Sequence, residues 1–142
     1  MSGERVVFEC ALPPVALRRN SETAHKGYRA KLVREYAEQV WCAAMDETRS
    51  QLPRNRRWGW NGKPWARASL RLTWRHHRAA PDPDNALASC KVLIDVCKST
   101  GPRPLGIFRD DSPDCLHIEP MVVEKVRTKA EECVVVSIER RE

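Results

Sequence analysis

No stretch of the sequence approaches the roughly 20 consecutive apolar residues that a bilayer-spanning helix needs, so no membrane partner is expected. The six cysteines, Cys10, Cys42, Cys90, Cys97, Cys115 and Cys133, never form a C-x-x-C pair. A zinc knuckle or a dithiol redox motif is therefore disfavoured. No segment repeats another, and none is biased enough in composition to be a disordered arm. The opening residues, Met1-Ser2-Gly3-Glu4-Arg5, lack the apolar stretch of a secretory signal. Thiols without such a signal point to a reducing cytoplasm, where they serve as small core residues. A calcium loop is excluded as well, because no glycine and distal glutamate follow the acidic residues in register.

Charge, by contrast, is abundant and unevenly placed. The 142 residues carry 25 Lys and Arg against 19 Asp and Glu, a net of +6. Residues 1–80 hold a net of +9 and residues 81–142 a net of −3. A basic platform followed by an acidic cluster suits a protein that grips phosphates and acts on them, although a merely solvated basic surface reads the same way. The length fits one domain, 1–142, with one modest core.

The pattern is that of an α/β (α+β) domain, a mixed sheet with flanking helices in the order β-α-β-α-β-β. Val6, Phe8, Cys10 and Leu12 alternate with Arg5, Val7 and Glu9 as a first strand, which Pro13-Pro14 ends. From Lys26 to about Arg49 the period lengthens. Leu32, Val33, Tyr36, Ala37, Val40, Trp41, Ala44 and Met45 form one stripe of a long helix. Residues 54–65, RNRRWGWNGKPW, are punctuated as a loop. Its Trp58, Trp60 and Trp65, interleaved with Arg56, Arg57 and Lys63, can stack on unpaired bases or fold back onto the core. Ala66, Ala68, Leu70, Leu72 and Trp74 then alternate with Arg67, Arg71 and Arg75, giving one apolar face and one row of guanidinium groups. A helix is predicted from Asn85 to about Ser99, then extended runs Leu116–Ile118 and Met121–Val126. A charged turn over residues 127–132 is read as joining the last run to a final strand, Cys133–Glu139, as a hairpin.

Pro81-Asp82-Pro83-Asp84-Asn85 is the most informative stretch. Pro83 biases Asp82 toward an extended conformation, which would turn the two carboxylates to one side. Asp84 reads as the cap of the following helix. Two carboxylates so close repel unless a cation lies between them, and Mg²⁺ is the hard ion that prefers such oxygens while keeping waters for phosphates. The bland alternative is a turn residue followed by a helix cap. Lys91, seven residues on from Asp84, shares its helical face and leans back toward it, where it can stabilise charge on a phosphate. Lys98, another seven residues on, lies too far along to reach that cluster. Phe108-Arg109-Asp110-Asp111-Ser112 supplies a second acidic pair, able to converge on the first if the chain returns beside the sheet. His76-His77, with Arg78, reads as a basic strand end that meets phosphate or solvent more readily than a transition metal. An aspartyl phosphatase is disfavoured, because Arg75-His76-His77-Arg78 precedes the first aspartate where an apolar strand is required.

In this order Leu12-Pro13-Pro14, a long helix, a strand, Pro81-Asp82-Pro83-Asp84-Asn85, Lys91-x-x-x-Asp95 and Asp110-Asp111-Ser112 together resemble the RusA family of Holliday junction resolvases. The resemblance runs from Val6 to the final strand and follows the phage and prophage form of the motif. Pro81 departs from it, standing where members often carry a basic residue. The resemblance implies a homodimer that resolves four-way DNA junctions by paired nicking in recombination and repair. It implies Mg²⁺, with Mn²⁺ as a substitute, held by Asp82, Asp84 and Asp111. It also makes Asp110 an accessory carboxylate and Lys91 an essential basic residue. Arg71, Arg75, Arg78, Arg56, Arg57 and Lys63 are the candidate DNA contacts, and the expected setting is the cytoplasm of a bacterium or phage-infected host. Two other readings stay open: a DNA-structure-binding protein without catalysis, and a nuclease acting mainly on forks or flaps.

Overall fold

A computed structural model of the chain describes residues 4–18, 26–51, 63–99 and 104–141. The period-two alternation becomes the sheet. β1 (Arg5–Cys10) buries Val6, Phe8 and Cys10 and turns Arg5, Val7 and Glu9 outward. β2 (Ala68–His76) buries Ala68, Leu70, Leu72, Trp74 and His76, and β5 (Cys133–Arg140) buries Val134, Val136 and Ile138. All these side chains share one sheet face. Each aliphatic removed from water there contributes about 1.5–3 kcal/mol, which fixes the register of every strand.

The long helix α1 (Lys26–Gln51) covers that face, packing Tyr36, Val40 and Ala44 against β1 and the later helices. The Tyr36 hydroxyl donates to the Ala11 carbonyl at 2.8 Å, so a buried phenol is satisfied by the strand it packs on. Lys31, Arg34, Glu35 and Glu38 lie exposed on the opposite face, as a solvent stripe should.

Strand order is β1-β5-β2-β3, and β4 (Val122–Lys125) also pairs with β2. β3 (Leu116–Ile118) takes Ala68 to Leu70 and β4 takes Thr73 to His76, both parallel to β2. They are two pieces of one edge, separated by Glu119-Pro120-Met121, since proline offers no N–H to a ladder. The expected hairpin of the last two strands is therefore corrected. β5 lies on the other side of β2, antiparallel to it, so the turn over residues 127–132 crosses the end of β2. The Arg-Lys-Glu-rich turn has the composition of a hairpin but a longer span, with a short 3₁₀ turn at Lys129–Glu131.

The predicted single helix after β2 is two. α2 (Pro83–Ser89) and α3 (Lys91–Cys97) meet at Cys90, whose φ −91° and ψ 9° tighten the turn without ending it. Gly106, at φ +73°, then reverses the chain where a side chain would be strained. Among the described residues no helix is long and apolar enough to cross a membrane.

Candidate functional site

Pro83 occupies the first turn of α2, where its missing N–H costs nothing. Asp82, not Asp84, is the cap. Its backbone is extended (φ −64°, ψ 130°) and its carboxylate accepts the Asn85 N–H at 3.3 Å. The expectation of two carboxylates on one extended segment is corrected accordingly, because Asp84 already lies within the first helical turn. A proline at 83 favours helix initiation more strongly than continued extension, which decides the cap. Both carboxylates are exposed, and both sit at the positive end of the helix.

Pro81, just before them, lines a cavity with Trp74, His76 and Glu132. Asp82 is thereby fixed at the C-terminal end of β2. Asp110 and Asp111 lie at the other end. Phe108 bridges to both Trp65 and Lys98, and the Trp65 N–H donates to the Ile107 carbonyl at 2.9 Å. The Ser99 hydroxyl donates to the Arg109 carbonyl at 2.7 Å, and the Ala68 N–H to the Cys115 carbonyl at 2.8 Å. Residues 107–115 are thus bound to the start of β2 and the end of α3.

β2 is 9 residues long, so at about 3.3 Å per residue the two acidic pairs stand on the order of 20 Å apart or more. Asp84 and Lys98 are likewise separated by nearly the whole α2–α3 rod, roughly 20 Å at 1.5 Å per residue. The convergence of the two acidic clusters is not what one chain forms. Among the described residues, no three His, Cys, Asp or Glu side chains gather to hold a metal ion. Among the described residues, the carboxylates of one chain are not gathered into a single Mg²⁺ centre.

Lys98 is the lysine that the second acidic pair engages. Its ammonium stands 3.3 Å from an Asp95 carboxylate oxygen and 3.8 Å from Asp111. Burial would lower its pKa, but Asp95 first, then Asp111 and Asp110, outweigh that and hold it above the usual lysine value. Its spacing from Asp84 says nothing of Asp111, which the chain brings back to the far end of the helix. Lys91 is exposed and opens α3, and among the described residues no ion pair is seen for it.

The guanidinium row of β2 is neutralised by its neighbours. Arg71 pairs with Glu119 at 2.7 Å, and Arg75 with Glu9 at 3.3 Å and Glu124 at 3.2 Å. Cross-strand carboxylates could have been read from Glu9, Glu119 and Glu124 only once the register was known. Arg78 and Lys63 are exposed. Trp65 is buried in the core at 5% exposure, so it is not a base-stacking residue. Arg56, Arg57, Trp58 and Trp60 lie outside the described residues.

His76 is buried, and its Nδ1 lies 2.7 Å from the Arg78 carbonyl. A carbonyl only accepts, so Nδ1 carries the proton. No protein-family model matches the chain, and no curated protein matches it. The likeness to the RusA resolvases rests on the ordered motifs alone.

Proposed function

We propose that the chain is a Mg²⁺-dependent DNA endonuclease that resolves four-way junctions as a homodimer. The observation that carries the reading is the exposed Asp82-Pro83-Asp84-Asn85 turn at the C-terminal end of β2, beside a basic strand end. Ligand sites in open α/β sheets favour that end of the strands. Two exposed carboxylates two residues apart, with His76, His77 and Arg78 beside them, suit a cation and the phosphate it serves.

A single chain leaves Asp111 at the opposite end, so in this reading the third carboxylate comes from a second copy. A two-fold dimer that sets the start of α2 in one chain against the end of α3 in its partner forms two equal sites. Two nicks in opposing strands then follow from the symmetry. Asp82 and Asp84 hold the ion, Asp111 completes the set across the interface, and Lys98 keeps Asp111 oriented. Lys91 stabilises charge on the scissile phosphate.

One observation favours the rival reading of a DNA-structure-binding protein without catalysis: Asp111 is already matched by Lys98 within its own chain. Incubating fixed and mobile four-way junctions with the protein in Mg²⁺ and in EDTA separates the two. The nuclease reading expects symmetric nicks in Mg²⁺ alone, lost in Asp82→Asn. Tight junction binding with intact strands under both conditions would leave only the binding protein.

A further inference from the structure

The end of β2 that carries Asp82 also holds a cavity of about 410 Å³, walled partly by core residues such as Trp74 and partly by side chains outside the core. Its floor is apolar, formed by Leu12, Trp74 and Pro81, and Val15 stands exposed on its rim. Around this floor stand Arg18, Arg78 and Lys129, with the two histidines and one carboxylate, Glu132. The carboxylate oxygen of Glu132 is already engaged, accepting the His77 backbone N–H at 2.8 Å.

Arg18 makes two contacts within the chain. Its Nε–H donates to the Pro13 carbonyl at 3.1 Å, and its guanidinium lies 5.3 Å from the centre of the Trp74 ring. A cation held in place by an aromatic face and one backbone oxygen still has donors to offer an anion. The Nδ1 of His77 is buried with no hydrogen-bond partner, an unmet polar atom beside the same space. His76, with its proton on Nδ1, leaves Nε2 as an acceptor when neutral.

Apolar lining side chains together with cations match one chemistry well: an aromatic base joined to a phosphate. The volume suits a single nucleotide and falls within the range of small-ligand sites. We propose that this cavity receives one unstacked nucleotide of the bound DNA strand, its base against the apolar floor and its phosphate against Arg18, Arg78 and Lys129. The inference rests on the nuclease reading and adds to it a source of structural selectivity. Extruding a base from continuous duplex costs a few kcal/mol, and least where pairing and stacking are already broken. A nucleotide at the exchange point of a junction meets that condition, whereas one inside an arm does not. Because Pro81 is both a wall of the cavity and the neighbour of Asp82, seating that nucleotide would place the adjoining phosphate near the carboxylate pair.

The test is 2-aminopurine fluorescence, measured in EDTA so that no strand is cut. The reporter base is placed in turn at each exchange-point position of a fixed junction, and within an arm as a control. Wild-type protein should raise the signal severalfold at one or two exchange-point positions and leave the arm position unchanged. Val15→Trp, which fills the cavity from an exposed position, and Arg78→Ala, which removes a rim cation, should each lose most of that rise. Circular dichroism checks that both remain folded. No rise with wild type at a saturating concentration overturns the proposal, and so does a rise that both folded variants keep in full. Cleavage by the wild type in Mg²⁺ is scored separately. Cutting without extrusion sinks the pocket and spares the nuclease, while extrusion without cutting does the reverse.

Discussion

The two ends of the β2–α2–α3 unit carry acidic pairs in opposite electrical circumstances. At the C-terminal end of β2, Asp82 and Asp84 are exposed, and Asp82 spends one oxygen on a helix N–H. At the other end Asp110 and Asp111 are half-buried, and Lys98, at 21% exposure, stands against Asp111 and Asp95. Among the described residues, no cationic side chain stands against the first pair. The second already has one, supplied by its own chain. A strand between them keeps the pairs apart.

Removing charge from either half should have the largest effect. Asp82→Asn, Asp84→Asn and Asp111→Asn are each expected to lower junction cleavage by 10²-fold or more, the usual cost of one preorganised electrostatic group. Junction binding should survive or tighten in a filter or gel assay, because each change removes repulsion from phosphates. Near wild-type cutting by any one of them removes that residue from the site.

The lysines divide the two ends more finely. Lys91→Ala is expected to lose about 10²-fold in cleavage rate, with little change in affinity. Lys98→Ala acts through Asp111 and should lose about tenfold. Restoration by Lys98→Arg would mark it as a positioning residue, whereas equal small defects in both alanine variants would leave only surface charge.

The rod that separates the ends is anchored by thiols. Burial pushes the Cys90 thiol up to about 12, and does the same to Cys10. Cys97 and Tyr36 are raised as well, again chiefly by burial. A raised folded pKa keeps its stabilisation below the unfolded value, 9.0 for these thiols, and loses it as pH rises toward the folded value. Urea midpoints should therefore hold steady up to about pH 9 and then fall, each thiol contributing about 1.4 kcal/mol per pH unit. A midpoint unchanged at pH 10.5 would show that these thiols reach solvent.

Much of this was legible in the residues. The alternation of Leu70, Leu72 and Trp74 and the stripe through Tyr36 and Val40 located β2 and α1, because burial of one face dictates both periods. The break at Cys90 was not legible, since neither glycine nor proline marks it. Nor was the route of the chain past Lys98. Spacing along a helix places residues on that helix, but it says nothing of what the returning strand brings alongside. The split of β3 from β4 could be foreseen at Pro120, whereas the placement of β5 beyond β2 depends on pairing between distant segments.

The cap offers the smallest and cleanest contrast between the ends. Asp82→Ala should cost about 1 kcal/mol in unfolding free energy, while Asp82→Asn, itself a good cap, should cost only a few tenths. Asp82→Asn would then be cleavage-dead yet nearly as stable as wild type, separating the carboxylate's chemistry from its structural role. Equal losses of stability in both would mean that the capping bond is not what the carboxylate supplies.

The most direct measurement uses mixed dimers of two inactive chains, Asp82→Asn and Asp111→Asn, isolated by a different tag on each and given four-way junction in Mg²⁺. If each site draws Asp82 from one chain and Asp111 from the other, one site in every mixed dimer is intact. About half of the wild-type nicking should return, as single nicks without paired resolution. Mixed dimers as inert as either parent, though they bind the junction, would contradict a site shared between two chains.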